Sequence, residues 1–248
     1  MAQTFTIMRR ELAAYFNTPI GYVFLVFFLL LSKSFFVLLS LFVNGVAEMR
    51  SYFSWLPILF LIFVPAIAMR LWAEERKLGT LELLMTFPVR SWHAVVGKFL
   101  AGMCFLAIML ILTLDLPLAL WLLKGTGPGP DWGPIVCGYL GAIALGMVYM
   151  AIGAFASSLT SDQIVAFVIG ATLNSVLFLI GFEPFVRMVR DLSPNWGGPV
   201  AATIQRFGVN YHFDSICCGV VDSRDILYAL TMTAFFLYLN VLVVERRR

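Results

Sequence analysis

The chain has 248 residues, of which 61% are hydrophobic and only 12% charged, and its formal net charge is +3. A soluble domain carries roughly 25% charged residues and has no core large enough to hide so much apolar surface. Composition therefore excludes a soluble globular protein. We interpret the small basic excess as a signal of membrane topology, and we expect no nucleic-acid partner.

An amphipathic helix is predicted first, over residues 3–16. Apolar side chains recur there at helical spacing and charged ones lie opposite, as in a helix that rests in the membrane interface. The apolar positions are Phe5, Met8, Leu12 and Tyr15, and the other side holds Arg9, Arg10 and Glu11. The sequence Asn17-Thr18-Pro19 then ends this helix before the first apolar run.

Six apolar runs follow, and each has about the length of roughly 20 residues that a membrane helix needs. They cover residues 20–43, 52–71, 99–123, 135–155, 164–182 and 226–244. With six spans the chain returns to its starting side, and most Lys and Arg residues of the short connections fall on that side. We therefore expect an all-α polytopic protein of the cytoplasmic (inner) membrane with both termini in the cytoplasm and the lipid bilayer as its solvent.

A charged segment, "AEERKLGTLELLMTFPV", follows the second span at residues 73–89. Gly79 interrupts it, Thr80 is placed as an N-cap, and Glu82 lies in the first turn, where it faces the helix dipole. Pro88 ends the segment. The apolar stripe consists of Leu78, Leu81, Leu84 and Met85. The pattern predicts a short helix over residues 78–87, which either docks against a partner or tucks its leucines under the lipid headgroups.

The segment 183–224 lies on the outer side before the last span. It begins with a short amphipathic piece, turns at "SPNWGGP", and continues into a second apolar-rich piece, "NYHFDSICCGVVD". We expect re-entrant or interfacial helices here that cap the outer mouth of the bundle.

Polar side chains inside the spans are few. Lys33 in the first span costs at least ~2.5 kcal/mol unless it is compensated; it either pairs with Asp115 or snorkels alone to the outer interface. Asn174 and Ser175 in the fifth span either line a polar path or bond to a neighbouring helix.

No catalytic or metal-binding pattern stands out. The sequence has no G-x-x-x-x-G-K-[ST] loop, so the chain cannot cradle ATP phosphates by itself. Its two histidines, His93 and His212, are expected on opposite sides of the membrane and cannot share a metal. Two functions remain open for these residues: a membrane-embedded enzyme that uses His212 with Asp214, and a channel or scaffold for an envelope complex that works without an ATPase.

The segment "EERKLGTLELLMTFPV" resembles the cytoplasmic-loop signature of type-two ABC transporter permeases, in which an E-R/K-x-x-G-T-L-E-x-L-L-x-x-P pattern follows the second span. "NYHFDSICCGVVDSRDILY" resembles the outer motif of the same superfamily, in the form found in the gliding-motility-associated permeases. The resemblance extends over almost the whole chain, and it implies one domain over residues 1–248.

This resemblance implies a single transmembrane permease domain that couples ATP hydrolysis by separate ABC ATPase subunits to rearrangement of the bundle, for export or for mechanical work. ATP and Mg²⁺ would bind to the ATPase and no cofactor to this chain. A second permease copy or a homologous permease would complete a dimer, and a periplasmic or auxiliary membrane subunit could join it. The residues that match the coupling signature are Glu74, Glu75, Arg76, Lys77, Gly79, Thr80, Leu81, Glu82 and Leu84. Those of the outer motif are His212, Phe213, Asp214, Gly219, Asp222, Arg224 and Asp225.

Overall fold

A computed structural model describes residues 2–38, 49–80, 90–123, 129–191, 197–219 and 222–246. Within these ranges the chain forms twelve α-helices and no strand. They are α1 (Ala2–Asn17), α2 (Pro19–Phe36), α3 (Met49–Ala68), α4 (Arg70–Lys77), α5 (Ser91–Ile111), α6 (Asp115–Leu123), α7 (Trp132–Leu159), α8 (Gln163–Gly181), α9 (Glu183–Asp191), α10 (Gly197–Phe207), α11 (Val209–Cys217) and α12 (Ser223–Glu245).

Six helical stretches in the described ranges are long and apolar enough to cross a membrane. They are Pro19–Phe36, Met49–Lys77, Ser91–Leu122, Trp132–Leu159, Gln163–Gly181 and Ser223–Glu245. The expectation of an all-α protein with six spans is therefore confirmed. The last part of the first predicted span, residues 39–43, lies outside the described residues.

The second, third and fourth spans form the interior of the bundle, and the other three lie around them. In the most apolar stretch of the second span, 72% of the residues are buried inside the protein. In that of the sixth span, only 17% are. Glycines in α7 allow this close packing. A Cβ on Gly146 would lie 2.2 Å from Leu106 Cδ2, and one on Gly138 would lie 2.4 Å from Phe53 Cε2.

The third span differs from its prediction at its start and in its interior. Its helix α5 begins at Ser91, eight residues before the predicted start at residue 99, because Lys98 is buried within the helix and neutralised there. The run then breaks before Asp115. Pro117 has no N–H to donate to the carbonyl of Thr113, and this oxygen accepts from the N–H of Leu116 at 3.0 Å and from Tyr139 Oη at 3.1 Å.

The two ends of the bundle carry different structures. One end, here called the α1 end, holds α1, α4 and the beginning of α5. The opposite end holds α9, α10 and α11, which cover the predicted outer segment. Two helical pieces were expected there and three are present, because α10 begins inside the predicted turn, at Gly197.

Candidate functional site

A cluster of four charged side chains joins three helices at the α1 end. Lys98 of α5 is only 1% exposed, and its Nζ lies 3.2 Å from Glu11 Oε1 of α1 and 2.9 Å from Glu75 Oε1 of α4. Arg10 contacts the same two carboxylates at 2.7 and 3.1 Å. We call these four residues the basal cluster. A buried lysine without partners is very costly, so the two carboxylates hold α1, α4 and α5 together.

Aromatic side chains complete this contact. The ammonium of Lys98 lies 5.1 Å from the ring centroid of Trp72, which is a cation–π distance. Tyr15 of α1 stacks on Phe105 at 4.9 Å between ring centroids. Its hydroxyl donates to the carbonyl of Ile67 at 2.9 Å. The interfacial helix is thus docked on the bundle by both apolar and polar contacts.

The buried face of α1 differs from the predicted one. Ile7 and Tyr15 are buried, whereas Phe5 is 61% exposed. Glu11, which was assigned to the charged side, faces the bundle with 16% of its side chain exposed. Only the placement of Glu11 opposite Tyr15 was therefore wrong, because a carboxylate can face the bundle where its partner, Lys98, is itself buried. Arg9 is exposed.

The electrostatics of the basal cluster favour the ionised forms. Burial raises the pKa of the Glu11 carboxyl, but Lys98 and Arg10 lower it more, so the net pKa is below its usual value. The hydrogen bond from Arg10 to Glu11 raises the pKa of the guanidinium. Both shifts indicate ion pairs that remain formed at neutral pH.

The residues of the coupling signature continue directly from this cluster. Glu74 of α4 accepts two hydrogen bonds from Arg70, at 2.8 and 3.3 Å, Arg76 is half-buried and Lys77 is exposed. The helix ends in a turn at Gly79, whose φ of +70° is a conformation that favours glycine. The predicted break at this glycine is confirmed.

Beyond that turn the structure describes only part of the predicted coupling helix. Thr80 Oγ1 donates to the carbonyl of Glu75 at 3.3 Å. Residues 81–89, with Leu81, Glu82 and Leu84, lie outside the described residues. The short helix over residues 78–87 and the capping role of Thr80 therefore remain predictions.

In the structure Lys33 pairs with Asp115, which is the first of the two alternatives for this lysine. Lys33 Nζ lies 2.5 Å from Asp115 Oδ2, and the side chains are 38% and 55% exposed on the outer surface of the bundle. The pair adjoins a buried hydroxyl contact, from Ser32 Oγ to Tyr52 Oη at 3.0 Å.

Asn174 makes an interhelical contact. Its side chain is fully buried, and Nδ2 donates to the carbonyl of Tyr149 in α7 at 3.4 Å. Asn174 thus faces α7, which is the second of the two interpretations for this residue. Ser175 beside it is half-buried.

The outer motif forms a second polar centre, at the opposite end. His212 Nδ1 lies 2.7 Å from Asp225 Oδ1 in α12, and Nε2 lies 3.0 Å from the carbonyl oxygen of Arg206. The imidazole also stacks on Tyr228, with ring centroids 4.1 Å apart. The partner of His212 is therefore Asp225 and not Asp214, the residue assumed in the enzyme alternative. This contact ties α10 and α11 to the last span.

The other residues of the motif have local structural roles. Asp222 caps α12 by accepting from the N–H of Arg224 at 3.0 Å. Gly219 has a φ of +86°, and Phe213 is buried. Burial and the nearby Glu183 raise the pKa of Asp214.

Lys98, Trp72 and Ser157 were not predicted to be important. A lysine just before an apolar run is easily assigned to a loop, and only its partners Glu11 and Glu75, 87 and 23 residues earlier in the chain, reveal its burial. Among the described residues no group of three or more His, Cys, Asp or Glu side chains is arranged to hold a metal ion.

Comparison with known proteins gives one family. The model of a family described as "ABC-2 family transporter protein" matches residues 49–192, which is more than half of the chain. The matched region runs from the start of α3 to just past the end of α9, so it includes α4 and α5 but not α1. No curated protein matches the chain.

Proposed function

Because the chain belongs to the ABC-2 transporter family and is a multi-pass membrane permease subunit, we propose that it converts ATP hydrolysis by a separate ABC ATPase into movement of its six-span bundle. The α1 end is then cytoplasmic, both termini lie in the cytoplasm, and the membrane is the inner membrane. ATP and Mg²⁺ bind to the partner ATPase.

The observation that carries this proposal is the buried Lys98. It holds α4 and α5, which are the two helices that bracket residues 78–90, and it also holds α1. A force applied to the connecting segment reaches both flanking helices, and the cluster makes them respond as one body.

The partner is expected to seat on residues 74–84 at the end of α4, beside α1. Allosteric transitions of this kind require two alternative packings of the bundle. The exposed outer surfaces of α2, α8 and α12 suit lipid and a second permease copy or a homologous permease. We place the chain in the gliding-motility-associated branch, where ATP drives export or mechanical work on a complex of the cell envelope. An auxiliary periplasmic subunit would bind at the α9–α11 end.

Affinity purification of the full-length tagged protein from its native membranes tests the partner. We expect an ATPase with a Walker motif to copurify. A complex that contains no ATPase would support the channel or scaffold alternative and would overturn this proposal.

A charge reversal tests the site. The double variant Arg76→Glu/Glu82→Arg is expected to keep the permease in the membrane but to weaken ATPase association or to uncouple hydrolysis from bundle movement. The matched control is Glu183→Arg/Arg187→Glu, which reverses an exposed (i, i+4) pair in α9 at the opposite end. Wild-type association and coupling in the first variant would contradict the assigned docking site.

A further inference from the structure

The second span is interrupted between α3 and α4, at Met69. The start of any α-helix leaves backbone N–H groups without acceptors in the helix itself, and the side chain of Met69 caps none of those in α4. Trp72 and Ala73, in the first turn of α4, are 1% and 0% exposed, so water cannot satisfy their N–H groups. The junction therefore needs an acceptor from elsewhere in the protein.

Ser157 of α7 supplies that acceptor. Its hydroxyl oxygen accepts from the N–H groups of Trp72 and Ala73, both at 3.1 Å, and donates to the carbonyl of Met69 at 2.8 Å. One side chain thus satisfies two donors and one acceptor of the junction. This is the role of an N-cap residue, but it is performed by a helix that lies 84 and 85 residues further along the chain.

Gly153 lies one turn before Ser157 on the same face of α7. A Cβ at this position would lie 2.6 Å from the Cβ of Ala68, the last residue of α3. Glycine therefore brings α7 close enough for the serine hydroxyl to reach the backbone of Met69. Together Gly153 and Ser157 form a seat for the junction between α3 and α4.

We infer that Ser157 is a positioning residue that couples α4 to α7, so that a displacement of α4 is passed to the fourth span. The inference rests on the proposed function, in which the ATPase displaces α4. Because the helical hydrogen-bond ladder is interrupted at Met69, α4 can pivot there relative to α3. The three hydrogen bonds to Ser157 instead tie the pivot to α7.

The neighbouring Ser158 offers a matched control. It is also fully buried, but its hydroxyl donates to the carbonyl of Phe155 in its own helix at 2.7 Å. The variants Ser157→Ala and Ser158→Ala therefore remove the same atom from adjacent buried positions, and only the first removes bonds to α4. Ser157→Thr keeps the hydroxyl.

Hydrogen exchange on the full-length protein in nanodiscs tests the hydrogen bonds without any partner. In Ser157→Ala we expect the amides of Trp72 and Ala73 to exchange roughly fivefold faster or more, which corresponds to the loss of a typical cap. Ser158→Ala should match the wild type, and Ser157→Thr should restore slow exchange. Equal exchange in the two alanine variants would overturn the inference.

Spin labels test transmission in the complex purified with its ATPase. Labels replace three exposed residues: Lys77 at the end of α4, Ser161 just after α7, and Tyr238 on α12. Because position 77 lies in the proposed ATPase seat, distances are measured only on labelled protein that binds the ATPase as the unlabelled protein does. In the wild type and in Ser158→Ala we expect ATP with vanadate to change the 77–238 distance but not the 77–161 distance. In Ser157→Ala, with ATPase binding intact, the 77–161 distance should change as well.

Two results would overturn transmission through Ser157: a 77–161 distance that changes equally in the wild type and in Ser157→Ala, or a 77–238 distance that nucleotide leaves unchanged in the wild type. A permease that copurifies with no ATPase would overturn the proposed function instead. In that case the hydrogen-exchange measurement still tests, without any partner, whether Ser157 holds the junction between α3 and α4.

Discussion

Replacement of Lys98 by methionine is expected to loosen α1 from the bundle. Methionine retains most of the apolar stem but removes the ammonium that contacts Glu11 and Glu75 at 3.2 and 2.9 Å. Removing one partner from a buried ion pair costs about 3–5 kcal/mol, because the remaining charge is left buried. Arg10 still contacts both carboxylates, and they are 16% and 17% exposed, so the lower figure of about 3 kcal/mol applies.

A loss of this size weakens docking of α1 by about a hundredfold. Hydrogen exchange of the α1 amides in the full-length protein measures it directly, and Lys77→Met, at an exposed lysine of the same end, is the control. The triple variant Lys98→Met/Glu11→Gln/Glu75→Gln should recover most of the docking, since no buried charge then lacks a partner. Arg10 tolerates this change because its side chain is 56% exposed.

The reasoning would be refuted by either of two results. One is exchange in α1 of Lys98→Met that equals that of Lys77→Met. The other is a triple variant as loose as the single one, which would mean that the lysine stem and Trp72, and not the charges, hold α1.

Three further outcomes are expected. Lys33→Met should destabilise the protein in bicelles by about 2.5 kcal/mol, because it leaves Asp115 as an unpaired charge within the membrane. The double variant Lys33→Met/Asp115→Leu should restore stability. A double variant that is less stable than the single one would contradict a compensating pair. Gly79→Ala should lower the free energy of unfolding by about 1–2 kcal/mol through the positive φ of this residue alone, since an added Cβ meets nothing within 4 Å. An unchanged melting temperature would contradict this turn. The pKa of Glu11 is lowered in the folded protein, so the stabilisation that this carboxylate gives is complete above its unfolded pKa of about 4.3 and is lost as the pH falls further. A spin label at Phe5 should therefore become mobile in acid. If Glu11→Gln shows the same transition, this carboxyl is not its cause.

Local pattern alone predicted much of the fold. Six spans, an N-terminal helix that ends before Pro19, helical segments at the outer end, and a break at Gly79 all follow from hydropathy, helical spacing and the conformational preferences of proline and glycine. These features depend on residues a few positions apart, and a membrane enforces them strongly because every buried backbone group needs a partner.

The same patterns failed where a charge or a hydroxyl was satisfied by a distant residue. Lys98 was excluded from the third span, and Glu11 was placed on the wrong face of α1. The two are partners in the folded protein although they are 87 residues apart in the chain. At the break before Asp115, Tyr139 of the next span donates to the Thr113 carbonyl, which has no helical donor at Pro117.

The sequence by itself determined that this is a six-span membrane protein whose second and third spans are joined by a charged connection. Only the tertiary structure decided how that connection is held: by Lys98 between two carboxylates, and by Ser157 at the interrupted second span. The physical reason is that burying a charge or a free N–H group is too costly unless a partner is present. The identity of that partner depends on which helices pack together, and no local pattern contains that information.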